Sequence, residues 1–318
     1  MSDDFLGYLL SGAALLLFTG TILVTKVASN RLNLSLGFLI ATFTNVVFAA
    51  FALMVQLSLL SDDLQWNANA FVLFAAAGGF ATYLGRWFFY ESVVRFGPAK
   101  ASIFQVSSPL FTALMAWALL GEQVTIWVAM GIVMTIVGLI LVSYKPGLIS
   151  SRDAAVASAA PMHVAGKKMT RQRLLESVFL LGVGSSMAYA IGNVLRGTAV
   201  RSWPEPIVGA LTGAVFGLAL HLAFSADKRG LWSRLRAADR SGLWLYALIG
   251  VGNISGQICV IGAMRYIPLS VATLVTLCTP ILVFPLSHML FKNQDRITVT
   301  TLLGAAVTLS GIFIIVLR

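Results

Sequence analysis

The octet GIVMTIVG, residues Gly131–Gly138, has a near copy in GAAVTLSG, residues Gly304–Gly311. Both octets follow the pattern Gly-x3-Thr-x2-Gly and lie inside long apolar runs. Spacings of four and three residues put the two glycines and the threonine on one face of a helix. Small residues on one face let helix backbones approach closely in lipid. We therefore predict two tightly packing helices, with each other as candidate partners. The predicted packing residues are Gly131, Thr135, Gly138, Gly304, Thr308 and Gly311.

The composition is that of a protein embedded in lipid. The 318 residues are 58% hydrophobic and only 11% charged, with a mean hydropathy of +0.88. A soluble domain carries about 25% charged residues, whereas a surface that faces lipid needs few. The formal net charge of +10 would suggest nucleic acid as the partner of a soluble protein. Here the basic residues lie between the apolar runs, so they indicate membrane topology, and no nucleic acid is expected.

Ten apolar runs have the length that a spanning helix needs, about 20 residues. Strands of a membrane barrel would be about 10 residues long and would alternate in polarity. The runs therefore predict an all-α integral membrane protein with ten transmembrane helices. The predicted spans are 5–25, 34–57, 71–93, 99–120, 126–143, 177–195, 206–224, 243–264, 269–291 and 297–317.

Three matched pairs of short sequences indicate an internal duplication. RFGP at 95–98 corresponds to RYIP at 265–268, SSPL at 107–110 corresponds to CTPI at 278–281, and the octets form the third pair. The pairs occur in the same order, and their separation grows by only a few residues along the chain. A duplication of this kind predicts two structural repeats.

Each half of the chain carries five spans. Residues 1–144 are predicted to form the first repeat and residues 174–318 the second, joined by a basic linker, residues 145–173, that contains Ala and Ser. Because five is odd, the second half enters the bilayer from the opposite side, and the repeats are inverted. Two inverted halves around a central cavity can exchange open and closed shapes. This arrangement predicts a transporter that is accessible from one side at a time.

The residues 95–122, RFGPAKASIFQVSSPLFTALMAWALLGE, followed by GIVMTIVG, resemble the drug/metabolite transporter superfamily in its EamA-like ten-helix form. The resemblance covers both halves and is strongest over 92–142 and 262–316. It implies a ten-helix basket with a central cavity and the transport of small metabolites, often outward. It also implies the plasma membrane as the location, the inner membrane in bacteria.

The basic residues predict an orientation. Most Lys and Arg side chains fall in the odd-numbered connections between spans, and such residues concentrate in loops that stay in the cytoplasm. The charges therefore place both termini outside the cytoplasm. The ten-helix relatives that the chain resembles are usually drawn with both termini inside.

Span three offers the first candidate binding site. Tyr83, Arg86, Trp87 and Tyr90 stand at i, i+3, i+4 and i+7, which is one helix face. A cation flanked by aromatic rings can hold an anionic or zwitterionic metabolite. In the alternative interpretation, Arg86 reaches toward the nearer headgroups while the aromatic side chains pack against lipid.

Polar stripes on other spans extend the candidate site. Span six carries Ser185, Ser186, Tyr189, Asn193 and Arg196, and span eight carries two amides one turn apart. Polar groups in hydrocarbon usually face a cavity or another helix, so each stripe lines the cavity or makes interhelical hydrogen bonds. The candidate substrate-binding residues are Tyr83, Arg86, Trp87, Tyr90, Gln105, Ser108, Tyr189, Asn193, Asn253 and Gln257.

Two prolines are hinge candidates. Pro109 and Pro280 occupy matched places in spans four and nine. Proline removes a backbone donor and frees a carbonyl, and nearby hydroxyl and amide side chains can satisfy the freed groups. The matched kinks are either hinges for gating or static bends.

These observations favour a secondary carrier for a small polar metabolite, such as an amino acid or a related carboxylate-bearing compound. A membrane channel and a polytopic enzyme acting on a lipid-linked substrate are the alternatives. No catalytic cluster, metal-ligand spacing or cofactor motif stands out, so we expect a protein that is not an enzyme and binds no metal or cofactor. No acidic residue lies at the centre of a span, which argues against proton coupling through a buried carboxylate. One chain contains both halves, so a monomer can suffice.

Overall fold

The computed structural model describes residues 3–28, 31–32, 34–60, 66–89, 108–121, 125–143, 171–224, 231–276, 278–291 and 299–317. Regular secondary structure in these ranges is helical throughout. The helices are α1 (Asp3–Ala28), α2 (Leu34–Leu60), α3 (Ala68–Ala77, then a π-helical segment Gly78–Gly85), α4 (Ser108–Leu120), α5 (Ile126–Ser143), α6 (Arg171–Ser202), α7 (Pro206–Phe224), α8 (Leu231–Ala237), α9 (Arg240–Tyr266), α10 (Leu269–Thr276), α11 (Thr279–Phe291) and α12 (Val299–Leu317).

Five of the described helices are long and apolar enough to cross a membrane by themselves. They lie within α1, α2, α3 as it continues to Phe89, α7 and α9. The remaining helices cover the other predicted spans in whole or in part, and most of the predicted linker falls outside the described residues.

Helix α6 is longer than the span predicted for it. The predicted span ended at Leu195, although the polar stripe predicted on span six included the next residue, Arg196. In the structure α6 continues to Ser202, and Arg196 is buried with only 4% of its surface exposed. The apolar residues after it, such as Ala199 and Val200, are buried as well, so the hydrophobic face continues past the charge.

The contacts between the two halves come in symmetric pairs. Helix α1 packs on α9 as α6 packs on α3, α2 packs on α9 as α7 packs on α3, and α1 packs on α11 as α6 packs on α4. The contacts of α5 with α12 and of α2 with α7 join helices that hold equivalent places in the two halves. This pattern is the one that an approximate two-fold axis between repeats produces.

The two octets pack on each other. A methyl group added at Gly138 would lie 2.6 Å from the Gly304 carbonyl oxygen, and one added at Gly311 would lie 2.7 Å from the Gly131 carbonyl oxygen. Each threonine is fully buried and donates its hydroxyl to the glycine carbonyl one turn earlier, Thr135 to Gly131 and Thr308 to Gly304, both at 2.8 Å. The hydroxyls are thereby satisfied within their own helices, and α5 and α12 meet backbone to backbone.

A second symmetric pair of close helix contacts at glycines, here called glycine crossings, lies at the centre of the protein. A methyl group at Gly78 in α3 would lie 2.7 Å from Cα of Gly213 in α7, and a methyl group at Gly250 in α9 would lie 2.6 Å from the Ala41 carbonyl oxygen in α2. Close approach of this kind needs a residue without a side chain at each crossing. The two crossings bring α2, α3, α7 and α9 together around one central region.

Span nine is broken into two helices. α10 ends at Thr276 and α11 begins at Thr279, so Pro280 lies in the first turn of α11, where its missing N–H costs little. The Thr279 hydroxyl donates to the Thr276 carbonyl oxygen at 2.6 Å, and the Thr276 hydroxyl donates to the Thr273 carbonyl oxygen at 2.8 Å. Pro109 likewise lies in the first turn of α4. The residues before α4 lie outside the described ranges, so the hinge role of both prolines stays a prediction.

Candidate functional site

A central cavity lies among six helices, three from each half. It is bounded by α1, α2 and α3 of the first half and by α6, α7 and α9 of the second. The lining residues are Phe18, Asn45, Thr82, Arg86, Arg196, Ala210, Ala214, Asn253, Ile254 and Gln257.

The π-helical segment of α3 positions one wall of this cavity. Gly78–Gly85 is π-helical, and single π turns inside α-helices often occur at functional sites. The segment is held by small residues on both sides, since an added methyl group at Gly192 would lie 2.5 Å from the Ala81 Cβ and one at Gly217 would lie 2.6 Å from the Thr82 Cγ2. Thr82 and Arg86, about one turn apart, both line the cavity.

Arg86 stands at the cavity with an aromatic neighbour. Its Cζ lies 5.0 Å from the centroid of the Phe38 ring, within range of a cation–π contact. Phe38 also meets His221 edge to face, with ring centroids 5.0 Å apart. Among the described residues, no carboxylate forms an ion pair with Arg86.

Arg196 supplies a second guanidinium from the other half. It donates to the Asn193 Oδ1 at 3.4 Å and to the Thr82 Oγ1 at 3.4 Å. Both partners are neutral, and both distances are longer than the usual 2.7–3.2 Å for this kind of hydrogen bond. The bond to Thr82 joins α6 to the π-helical segment of α3.

Three amide side chains complete the polar wall. With its amide nitrogen turned toward the backbone of α9, Asn45 donates to the Gly250 carbonyl oxygen at 2.7 Å and to the Ala41 carbonyl oxygen at 3.0 Å. Asn253 and Gln257 lie one turn apart on α9 and line the cavity without a hydrogen-bond partner among the described residues. The cavity lining therefore offers two positive charges, three amides and one hydroxyl, and its described residues include no carboxylate.

The structure brings some of the predicted site residues together and separates others. Arg86, Asn253 and Gln257 line the cavity, and Asn193 contacts it through Arg196. The Tyr189 ring lies 3.0 Å from the point where Gly85 would carry a Cβ.

The other predicted residues lie elsewhere. Tyr83 stacks on Phe224, with ring centroids 5.8 Å apart, and Trp87 is 51% exposed and lies against Phe88. Ser108 is buried outside the cavity lining. Tyr90 and Gln105 fall outside the described residues. The stripe on span three was predicted for a regular helix, and the π-helical segment changes its register.

Several lining residues were not among the candidates. Asn45 is an amide in a largely apolar stretch of span two, and its polarity could have indicated it. Thr82 precedes Arg86 by four residues and could have been found by the same spacing rule that selected its neighbours. Phe18 carries no signal that distinguishes it from a packed side chain.

Comparisons with known proteins agree with this architecture. A model of the EamA-like transporter family matches residues 5–144 and 177–317, which together form most of the chain. That family has a ten-helix, two-repeat membrane fold, so the predicted fold class and the resemblance are confirmed. One solved structure, titled "Crystal structure of protein", is 15% identical, with a TM-score of 0.66 over 98% of this chain and 96% of that chain. At that identity the likeness shows the fold alone. No curated protein matches the chain.

Proposed function

Since the chain belongs to the EamA-like transporter family, we propose that it is a secondary carrier that moves a small polar metabolite by alternating access of its two repeats. The family and the apolar helices make it a multi-pass membrane transporter. The mechanism, the substrate class and the direction are the proposal.

The observation that carries the proposal is the polar cavity between the halves. Polar groups in hydrocarbon are costly and mark substrate pathways when they face an internal space. Here the polar groups come from both halves, with Arg86 on α3 and Asn253 and Gln257 on α9. A solute bound there contacts both moving parts, so its binding can favour the exchange of their shapes.

We propose a carboxylate-bearing substrate, such as an amino acid or a related compound. A guanidinium binds a carboxylate through two parallel hydrogen bonds, and Arg86 is available for this because its described contact is with the Phe38 ring. The amides of Asn253 and Gln257 can each donate and accept, which suits the polar remainder of a metabolite. Tyr83, Trp87, Tyr90, Gln105, Ser108, Tyr189 and Asn193 remain predictions.

The cellular setting is part of the proposal. We propose export across the plasma membrane, as the resemblance implies, with both termini outside the cytoplasm as the basic residues indicate. The partners are then the solute and the lipid bilayer, and one chain can suffice because it contains both repeats.

The test combines binding with transport. Purified protein would be heated with amino acids, nucleosides and organic acids, because a ligand that binds the folded state raises its melting temperature. The compounds that stabilise it would then be followed in proteoliposomes by exchange against labelled solute. We expect one carboxylate-bearing class to stabilise and to exchange. In Arg86→Ala we expect affinity to fall by about tenfold or more, the loss of one charged hydrogen-bonded contact.

The control is Arg265→Ala. Arg265 is exposed, and its Cζ lies 5.4 Å from the Tyr266 ring centroid, away from the cavity lining. This variant should bind and exchange as the wild type does. If compounds raise the melting temperature but none of them exchanges in proteoliposomes at any substrate gradient tried, the carrier proposal is wrong.

A further inference from the structure

Arg196 is a buried positive charge with weak neutral partners. Only 4% of its surface is exposed, and its described hydrogen bonds are the two long ones to Asn193 and Thr82. The arginine side chain has five N–H donors and keeps its charge in proteins. A buried charge is strongly unfavourable unless it is paired and hydrogen-bonded. In the described part of the chain, the protein itself supplies no such counter-charge.

The same cavity contains a second guanidinium of the same sign. Arg86 lines it from the first half and Arg196 from the second. The Thr82 hydroxyl, which accepts from Arg196, belongs to the helix that carries Arg86 one turn later. Two like charges at one cavity repel each other. An anion placed between them relieves that repulsion and completes the hydrogen bonds of both groups.

We propose that the substrate is a small dianion held between Arg86 and Arg196, one guanidinium from each half, with the amides of Asn253 and Gln257 on its uncharged part. This inference rests on the proposed carrier function and deepens it. A monoanion would leave one of the two charges unbalanced. The shared chemistry is a pair of negative charges on oxygen, as in a dicarboxylate or a phosphate monoester, because a guanidinium fits both.

The charge arrangement also explains how the solute could join the halves. With one guanidinium on α3 and the other on α6, a dianion bridges the two repeats and is bound fully only when both face it. A monocarboxylate that binds Arg86 alone makes no such bridge.

The binding test compares four probes on purified full-length protein. They are succinate, glycerol 3-phosphate, the monoanion butyrate and the zwitterion alanine. We expect at least one of the two dianions to raise the melting temperature at a concentration at least tenfold lower than butyrate requires. Arg196→Gln should remove that preference and leave the weaker effect of butyrate. Arg201→Gln, an equal loss of charge at an exposed place on the same helix, should keep the preference.

Comparing the two dianion probes distinguishes the two possible substrate classes. Stabilisation by succinate and not by glycerol 3-phosphate indicates a dicarboxylate, and the reverse indicates a phosphate monoester. The second ionisation of a phosphate monoester has a pKa of about 6. Lowering the pH from about 7.5 to about 5.5 should therefore weaken the effect of glycerol 3-phosphate by converting it to a monoanion.

The stability of the empty protein gives an independent readout. Arg196→Met replaces the charge by an apolar side chain of similar length. It should raise the melting temperature without ligand, since the uncompensated charge is removed, and it should also abolish the response to dianions. Arg196→Lys keeps the charge without the planar fork and should retain part of that response.

The outcomes distinguish this inference from the carrier proposal. If butyrate or alanine stabilises as well as the dianions and also exchanges in proteoliposomes, the dianion is wrong and the carrier stands. A lower melting temperature of unliganded Arg196→Met would likewise overturn the inference, because it would show that the guanidinium stabilises the empty fold. If no solute of any class exchanges, the carrier proposal itself fails.

Discussion

Gly138 and Gly311 hold equivalent places in the two octets, and each lies against the backbone of the other helix. The points where their side chains would begin are 2.6 and 2.9 Å from the backbone nitrogens of Thr308 and Thr135. This contact was predictable because a glycine at such spacing has few uses in lipid other than close packing. The absence of a side chain at these two positions therefore determines how closely the helices can approach.

Alanine at either position should destabilise the protein. The added methyl group would meet backbone atoms that cannot turn away, and forced overpacking typically costs about 1–3 kcal/mol. We expect Gly138→Ala and Gly311→Ala each to lower the midpoint of unfolding, measured by heat or by denaturing detergent in mixed micelles.

Two other glycines give the matched control. Gly12 and Gly20 lie in α1 with open space around the added methyl position. Alanine there should be neutral or slightly stabilising, since glycine costs roughly 0.5–1 kcal/mol relative to alanine within a helix. Equal destabilisation by all four substitutions would mean that the octet contact is not the cause.

The site residues were predictable in part. Arg86, Asn253 and Gln257 stood out because each is costly in hydrocarbon unless it faces a cavity or another helix, and the structure places all three at the cavity. Arg196 was predicted only as the last residue of the polar stripe on span six, one position beyond the predicted end of that span. Whether a charge lies inside a membrane depends on what surrounds it, and the surroundings come from distant parts of the chain.

At the scale of the element, α3 departs most from its prediction. Its sequence gives no indication that eight residues, Gly78–Gly85, adopt π geometry. A π turn adds a residue to the turn, so the side chains that follow are rotated relative to a regular helix. In the structure Arg86 shares the cavity with Thr82, while Trp87 is exposed and Tyr83 stacks on Phe224. The face predicted for Tyr83, Arg86 and Trp87 is therefore not kept, although Thr82 and Arg86 still share one face.

The crossing at Gly78 should control the position of this segment. A methyl group there would lie 2.7 Å from Cα of Gly213, so Gly78→Ala must move α3 away from α7. We expect a loss of about 1–3 kcal/mol in stability. We also expect a loss of about tenfold or more in ligand affinity, because Thr82 and Arg86 move with the segment. Thermal unfolding with and without ligand measures both effects.

The neighbouring glycine is the control. At Gly79, which is in the same π-helical segment, the added methyl group would meet only the Leu220 Cδ1 at 3.4 Å, an ordinary contact. Gly79→Ala should change stability by no more than about 0.5 kcal/mol and leave ligand affinity intact. If Gly78→Ala and Gly79→Ala lower ligand affinity equally, the close contact of Gly78 with α7 is not what positions the cavity residues.

At the scale of the whole molecule, symmetry of the backbone and asymmetry of the cavity have separate roles. The crossings at Gly78 and Gly250 are equivalent in the two halves, and both bring backbones to within contact. The alignment that pairs Gly78 with Gly250 also pairs Thr82 with Ile254, and both of these residues line the cavity. The symmetric frame allows the halves to exchange shapes, whereas the unequal side chains determine where the charge of a substrate lies. The frame was predictable from the repeat, but the register of each cavity residue was not.

Contacts between the halves also exist at both ends of α2. Near its start, Arg31 donates to the Ser241 hydroxyl at 2.6 Å and lies 3.9 Å from Asp239. The Ser241 hydroxyl, and to a smaller extent the Ser241 backbone amide, donate to the Asp239 carboxylate. These hydrogen bonds hold the pKa of Asp239 below its ordinary value of 3.8, so Asp239 is charged at neutral pH. Near the other end, Gln56 donates to Glu205 at 3.0 Å. A helix of this length spans about 40 Å, so the two contacts lie on opposite sides of the membrane.

Alternating access requires these two contacts to open in turn, which separates a carrier from a channel. In a background of Cys259→Ser and Cys278→Ser, one variant would carry Arg31→Cys with Ser241→Cys, and another Gln56→Cys with Glu205→Cys. Each would be treated with a short, reducible bifunctional thiol reagent. We expect either cross-link to lower exchange in proteoliposomes to background and reduction to restore it, because one end can no longer open.

Each singly linked protein should still bind ligand through its free end, and the variant with both links should not. The single-cysteine variants treated with the same reagent are the controls, and full flux through both cross-linked proteins would favour a channel, since a pore that need not change shape is unaffected by linking residues already in contact.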